Sequence, residues 1–109
     1  MKYWYNVEIQ TLNDHELTDE LLEIAAESIG FTATDVDERE LFRMTAVFRL
    51  DNSPENVLRS IQTLLDDRDE IYYADVLYRS DLDMAPTRVT LWKDNRMDYK
   101  THVIYEEVE

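Results

Sequence analysis

The chain has 109 residues and sets 25 acidic against 11 basic side chains, a formal charge of −14 at pH 7. It holds no cysteine and a single glycine, which excludes disulfide frameworks, thiolate metal sites, cysteine nucleophiles and glycine-rich phosphate loops. A negative field of this size repels nucleic-acid phosphates and anionic headgroups and attracts basic surfaces, so neither direct nucleic-acid binding nor membrane binding is expected.

The first ten residues, MKYWYNVEIQ, hold one basic side chain before Asn6 and Glu8 and lack the pattern of a secretory leader. No apolar run approaches the ~20 residues of a membrane span. The chain is read as one cytoplasmic domain, residues 1–109. Within the first stretch Tyr3, Tyr5, Val7 and Ile9 alternate with Trp4, Asn6, Glu8 and Gln10, the period of a strand whose odd side chains face a core. Thr18 then stands as a helix N-cap, with Asp19 and Glu20 in the first turn and Leu17 and Leu22 spaced as a hydrophobic staple. Leu21, Leu22, Ala25, Ala26 and Ile29 form the buried stripe, and Gly30 falls where the helix should end in a left-handed residue.

Residues 31–37, FTATDVD, read as a second strand, with 37–40 as the turn into the strongest strand of the chain, 41–50. There Phe42, Met44, Ala46, Phe48 and Leu50 are apolar, against Arg43, Thr45, Val47 and Arg49. A second helix starts with Ser53 as cap and Pro54 in the first turn, buries Val57, Leu58, Ile61, Leu64 and Leu65, and fails around 66–69. Residues 70–80 alternate again, with Tyr72, Ala74, Val76 and Tyr78 on one face and Ile71, Tyr73, Asp75, Leu77 and Arg79 on the other. A loop through Asp81, Asp83 and Pro86 leads to strand-like runs at 87–92 and 99–105, joined by the turn-rich KDNRMD.

The order strand, helix, strand, strand, helix, strand over 1–80 matches the βαββαβ plan of a ferredoxin-like α+β two-layer sandwich. In that plan an antiparallel sheet carries both helices on one face, and 81–109 is a carboxy-terminal β-hairpin extension. The plan serves enzymes, carriers and sensors alike and transfers no function.

The candidate chemistry is sparse. His15 lies in an acidic loop and His102 in the last strand, and neither has a serine or threonine at a recognisable catalytic spacing. Acidic side chains cluster at Asp35, Asp37 and Glu38, at Asp66, Asp67, Asp69 and Glu70, and at Asp81 with Asp83, but none has the ligand spacing of a calcium loop. No catalytic residue, cofactor or dedicated metal site is expected. An enzyme using carboxylates and a divalent metal ranks below two non-enzymatic readings.

The first of these rests on Glu16, Glu20, Glu23 and Glu27, whose 4, 3, 4 spacing stacks them on one side of the first helix and its entry. No lysine or arginine lies within the helix to pair with them. Carboxylates about 5 to 6 Å apart approximate the phosphate spacing of a nucleic-acid strand. This face suits an acidic inhibitor or nucleic-acid-mimicking decoy, of the type used by phages and mobile elements, that occupies a basic surface on a partner protein. The second reading rests on the sheet face turned from the helices, which collects Trp4, Arg43, Val47, Arg49, Tyr73, Leu77 and Arg79. Aromatic and aliphatic groups mixed with arginine resemble an interface core and rim. Its expected covers are a second copy in a homodimer, the chain's own carboxy-terminal hairpin, or a foreign partner; a small ligand among the tyrosines is a further option.

Overall fold

Burial alternates along the first strand and places it at the centre of the sheet. In the computed structural model, which describes residues 2–82, 85–93 and 101–107, β1 (Tyr3–Thr11) buries Tyr5, Val7, Ile9 and Thr11. It is paired antiparallel on both sides, with β3 (Arg43–Leu50) and with β4 (Ile71–Ser80). Adding β2 (Val36–Arg39), β5 (Thr87–Lys93) and β6 (Thr101–Glu107) completes a six-stranded antiparallel sheet of order β2-β3-β1-β4-β5-β6. The fold is α+β. Two helices, α1 (Asp19–Ile29) and α2 (Pro54–Asp67), lie against one face, where Leu21, Ala25 and Ile29 meet Val57, Ile61 and Leu65 over Val7, Met44, Ala46, Val76 and Leu91 in a single apolar cluster.

The helix ends follow their cap residues. Thr18 Oγ1 accepts from the Leu21 N–H at 3.2 Å, and Gly30 closes α1 at φ 109°, its N–H on Ala26 O at 2.8 Å. A side chain at Gly30 would be strained by this φ and would place its Cβ 3.2 Å from Leu50 Cδ1. Ser53 Oγ accepts from the Asn56 N–H at 3.3 Å with Pro54 opening α2. Tyr5, on the core face, stacks on Phe48 at 5.5 Å and sends its hydroxyl out to Asn52 O at 2.7 Å. Burial disfavours the phenolate and pushes the pKa of that phenol well above its ordinary range.

Three expectations from the sequence are corrected. The second strand is displaced along the chain: Phe31 is buried against Phe48 at 5.4 Å, Ala33–Asp35 is a 3₁₀ turn, and β2 takes only Val36 and Asp37 from the run 31–37 and continues to Arg39, where the turn was expected. The cause is local, because the Asp35 carboxylate accepts from both the Thr32 N–H at 2.8 Å and the Thr32 hydroxyl at 3.1 Å and closes a tight turn. In β4 the pairing slips between Gln10 and Thr11, so that Thr11 faces Ile71 while Gln10 faces Tyr73. This bulge sends Ile71 into the core, fully buried, whereas the Tyr72 hydroxyl reaches Gln10 Oε1 on the other face at 3.0 Å. Finally, the carboxy-terminal hairpin does not cover the open sheet face: β5 pairs edge to edge with β4, and β6 with β5, which widens that face. Asp83 and the whole connection between β5 and β6, 94–100, lie outside the described residues.

Candidate protein-binding faces

Amphipathicity sets the direction of the first candidate face. Because α1 buries Leu21, Ala25 and Ile29, residues on the opposite side of a 3.6-residue period must face solvent, and Glu20, Glu23 and Glu27 are all exposed there. Glu16, in the loop before the helix, is exposed as well. Among the described residues none of these four carboxylates forms an ion pair or hydrogen bond. The other first-turn acid, Asp19, is held by Arg39 at 2.6 Å. Glu16 and Glu20 border one depression of about 340 Å³ with His15 and Arg68, and Glu23 borders another of about 420 Å³ with Leu22 and Arg39. Glu27 lines neither. The four acids thus form a ridge along and before α1 and do not converge on a pocket. Between α1 and α2 runs a groove of about 530 Å³, with Ile24, Ser28, Arg59 and Arg68 in its walls, which the sequence pattern did not single out.

The second face is the sheet surface turned from the helices, and strand register divides it into two halves. One half is polar and internally bonded. Arg43 Nε donates to Glu8 Oε1 at 2.9 Å and its Nη1 lies 3.4 Å from both Glu38 and Glu40, while Gln10 Nε2 donates to Glu8 Oε2 at 2.7 Å. Next to it Arg88 Nε bonds both oxygens of Asp75, at 3.0 and 3.1 Å. The carboxylates hold both guanidiniums more firmly protonated than usual, Glu8 acting on Arg43 and Asp75 on Arg88. Burial, and then Asp75 and Glu8, raise the Tyr73 phenol.

The other half is more apolar. Trp4 stands directly opposite Arg49 on β3 and Arg79 on β4, and the guanidinium carbons lie 5.2 and 5.7 Å from its ring centroid. These are cation–π distances. One row further, Val47, Asn6 and Leu77 are in register. Trp4 is 39% and Val47 42% exposed, and with Leu77, Arg79 and Pro86 they line a shallow depression of about 290 Å³. Of the seven residues expected to share this face, Trp4, Val47, Leu77 and Arg79 line the depression, Arg49 flanks it beside the Trp4 ring, and Arg43 and Tyr73 belong to the polar half.

Of the two histidines, His15 Nε2 lies 3.8 Å from Asp14, and the His102 ring stacks on Trp92 at 5.3 Å. Among the described residues no three His, Asp or Glu side chains converge as a metal site. No helix among the described residues is long and apolar enough to cross a membrane. Lys93, read from the sequence only as the start of a turn, is buried and donates from Nζ to Leu65 O at 2.6 Å and Arg68 O at 2.7 Å, at the end of α2. Burial lowers its ammonium below the ordinary lysine value, opposed by the nearby Asp69, Asp66 and Glu70. Compared with protein-family models, with curated proteins and with solved structures, the chain finds no match in any of the three.

Proposed function

We propose that this chain is a non-enzymatic protein-binding module that presents the outer face of α1 to a basic surface on a partner protein, in the manner of an inhibitor or nucleic-acid-mimicking decoy. The observation that supports this reading is the division of charge between the faces. Three arginines on and around the sheet surface are engaged by acids, Arg43 by Glu8, Arg88 by Asp75 and Arg49 by Asp81, whereas Glu20, Glu23 and Glu27 project from α1 without a partner among the described residues. Unpaired like charges at helical spacing cost a few tenths of a kcal/mol per pair. A complementary basic surface would offset that cost on binding and would speed the encounter. Within the same proposal, β1 to β4 with the two helices constitute a ferredoxin-like core, since their order β2-β3-β1-β4 and antiparallel pairing agree with that plan, and β5–β6 extends it.

A second reading, assembly or small-ligand binding through the open sheet face, is favoured by the exposure of Trp4 and Val47 around one depression. One experiment separates the two. Partners are captured from a nuclease-treated lysate at about 50 and 500 mM salt with the wild type, with the triple variant Glu20→Gln/Glu23→Gln/Glu27→Gln, and with Trp4→Glu. The proposal expects a basic partner retained at low salt, released at high salt and lost from the triple variant, whose fold is unchanged. Retention that ignores both salt and the triple change, yet disappears with Trp4→Glu, would replace it by the second reading.

A further inference from the structure

The sheet ends in two edges of different construction. β2 is 4 residues long, exposes Asp37, Glu38 and Arg39, and breaks register between Val36 and Glu38. Short length, charge and a bulge are the devices that stop another strand from adding to an edge. β6 has none of them in its middle: 7 residues run in unbroken register with β5, and Ile104 and Tyr105 are 48% and 63% exposed. Among the described residues β6 pairs with β5 alone, so its outer row of backbone N–H and C=O groups is a template for a further strand.

The sequence of that strand is its own complement. Antiparallel pairing centred on Ile104 sets His102 opposite Glu106, Val103 opposite Tyr105, and Ile104 opposite itself. Register with β5 puts His102, Ile104 and Glu106 in line with Trp92, Thr90 and Arg88 on the open face, and Val103 and Tyr105 in line with Leu91 and Val89 on the helix side. Each match is therefore between side chains on one face, and it joins imidazole to carboxylate or apolar to apolar. The two neighbouring registers instead set Ile104 against His102 or against Glu106. Stacking on Trp92 holds the His102 ring on the open face, where Glu106 of a second strand would meet it.

We propose that β6 pairs antiparallel with β6 of a second copy of this chain, centred on Ile104, so that two sheets join into one of twelve strands. A two-fold axis normal to the sheet preserves its faces, which puts both helix layers, and both acidic α1 ridges, on the same side. The occupant is a second copy because the strand matches itself position by position. Against this contact stands the charge of −14 on each copy, so the dimer strengthens with added salt. Partner capture through α1 has the opposite salt dependence, so the two proposals stand or fall separately.

The test is sedimentation velocity over a concentration series at about 50 and 500 mM salt, with circular dichroism to confirm folding. The wild type is expected to dimerise more tightly at high salt. Ile104→Lys, which puts two ammonium groups face to face, should weaken the dimer by about tenfold or more. His102→Glu should weaken it several-fold, and the exchange His102→Glu/Glu106→His should restore most of the loss, a rescue that a general structural effect would not produce. A wild type that stays monomeric at high salt, or a dimer insensitive to Ile104→Lys, overturns the proposal. So does a dimer that Trp4→Glu dissociates while the β6 variants leave it intact, since the contact would then lie on the open face.

Discussion

Thr45 illustrates how much one polar atom on a strand depends on its neighbours. It lies in register with Glu8 on one side and Glu38 on the other, yet its Oγ1 is buried and has no hydrogen-bond partner among the described residues. The surrounding polar groups are committed elsewhere, Glu8 to Arg43 and Gln10 and Arg43 to its acids. A buried hydroxyl without a partner costs about 1–3 kcal/mol of desolvation. Valine has nearly the same shape and no polar atom, and it suits a strand. Thr45→Val is expected to stabilise the protein by about 1 kcal/mol in urea unfolding, with an unchanged slope against denaturant. Destabilisation by a similar amount would show that the hydroxyl is satisfied in solution.

The two helices end by different means. α1 stops at Gly30, which lies in the left-handed region and donates its own N–H to Ala26 O. α2 has no glycine at its end, Arg68 is extended at φ −121°, and no basic residue lies in its last turn. Lys93 of β5 supplies what is missing: its ammonium donates to Leu65 O and Arg68 O and brings a positive charge to the negative end of the helix dipole. Lys93→Met keeps most of the aliphatic bulk and removes the donor, which leaves Leu65 O without this partner, while Arg68 O keeps the Ile71 N–H at 3.2 Å. The expected loss is about 1–3 kcal/mol, measured by thermal or urea unfolding. The sign of the pH effect is also fixed. A folded value below that of the unfolded chain means that the unfolded state holds more protons in the window just below pH 10.5, so stability supplied by this group rises with pH there, and Lys93→Met should flatten that rise. A variant as stable as the wild type, with the same pH slope, would remove the capping role.

Those elements also mark what the sequence could reveal. The alternation of β1 and β3, the Thr18 and Ser53 caps and the Gly30 stop are local signals, and each appears in the structure where the pattern put it. The Lys93 cap joins residues 28 and 25 positions apart, and nothing local to the carboxy-terminal turn announces it. The bulge at Tyr72 left no trace in the alternation either, because Tyr72 and Tyr73 are both aromatic and either assignment of faces fits. Residues 31–37 misled for the opposite reason: the T-x-x-D spacing of Thr32 and Asp35 was a legible turn signal, outweighed in the reading by the strand propensity of Phe, Thr and Val. On the candidate faces, the exposure of Glu20, Glu23 and Glu27 followed from the helical period, whereas the division of the sheet face into bonded and apolar halves required knowing which strands are neighbours.

At the scale of the whole molecule two electrostatic effects oppose each other, and salt separates them. Ion pairs such as Arg39–Asp19 and Arg59–Glu55 are largely exposed to solvent, and pairs of this kind contribute about 0–1 kcal/mol each. A net charge of −14 compressed into one small fold acts against compaction as a whole, because the unfolded chain spreads the same charges apart. Screening weakens both effects, with a Debye length falling from about 30 Å at 0.01 M to about 10 Å at 0.1 M. The long-range repulsion loses more, since close pairs sit well inside that length at either concentration. The midpoint of thermal unfolding is therefore expected to rise by about 4 °C or more between 0.01 and 0.5 M sodium chloride, corresponding to about 1 kcal/mol for a domain of this size. The measurement belongs at a protein concentration low enough to keep the chain monomeric, so that salt-driven pairing of β6 adds nothing to the shift. A midpoint that falls with salt would show that the arginine pairs outweigh the net charge, and the unpaired ridge on α1 would then be a minor perturbation with no partner required to relieve it.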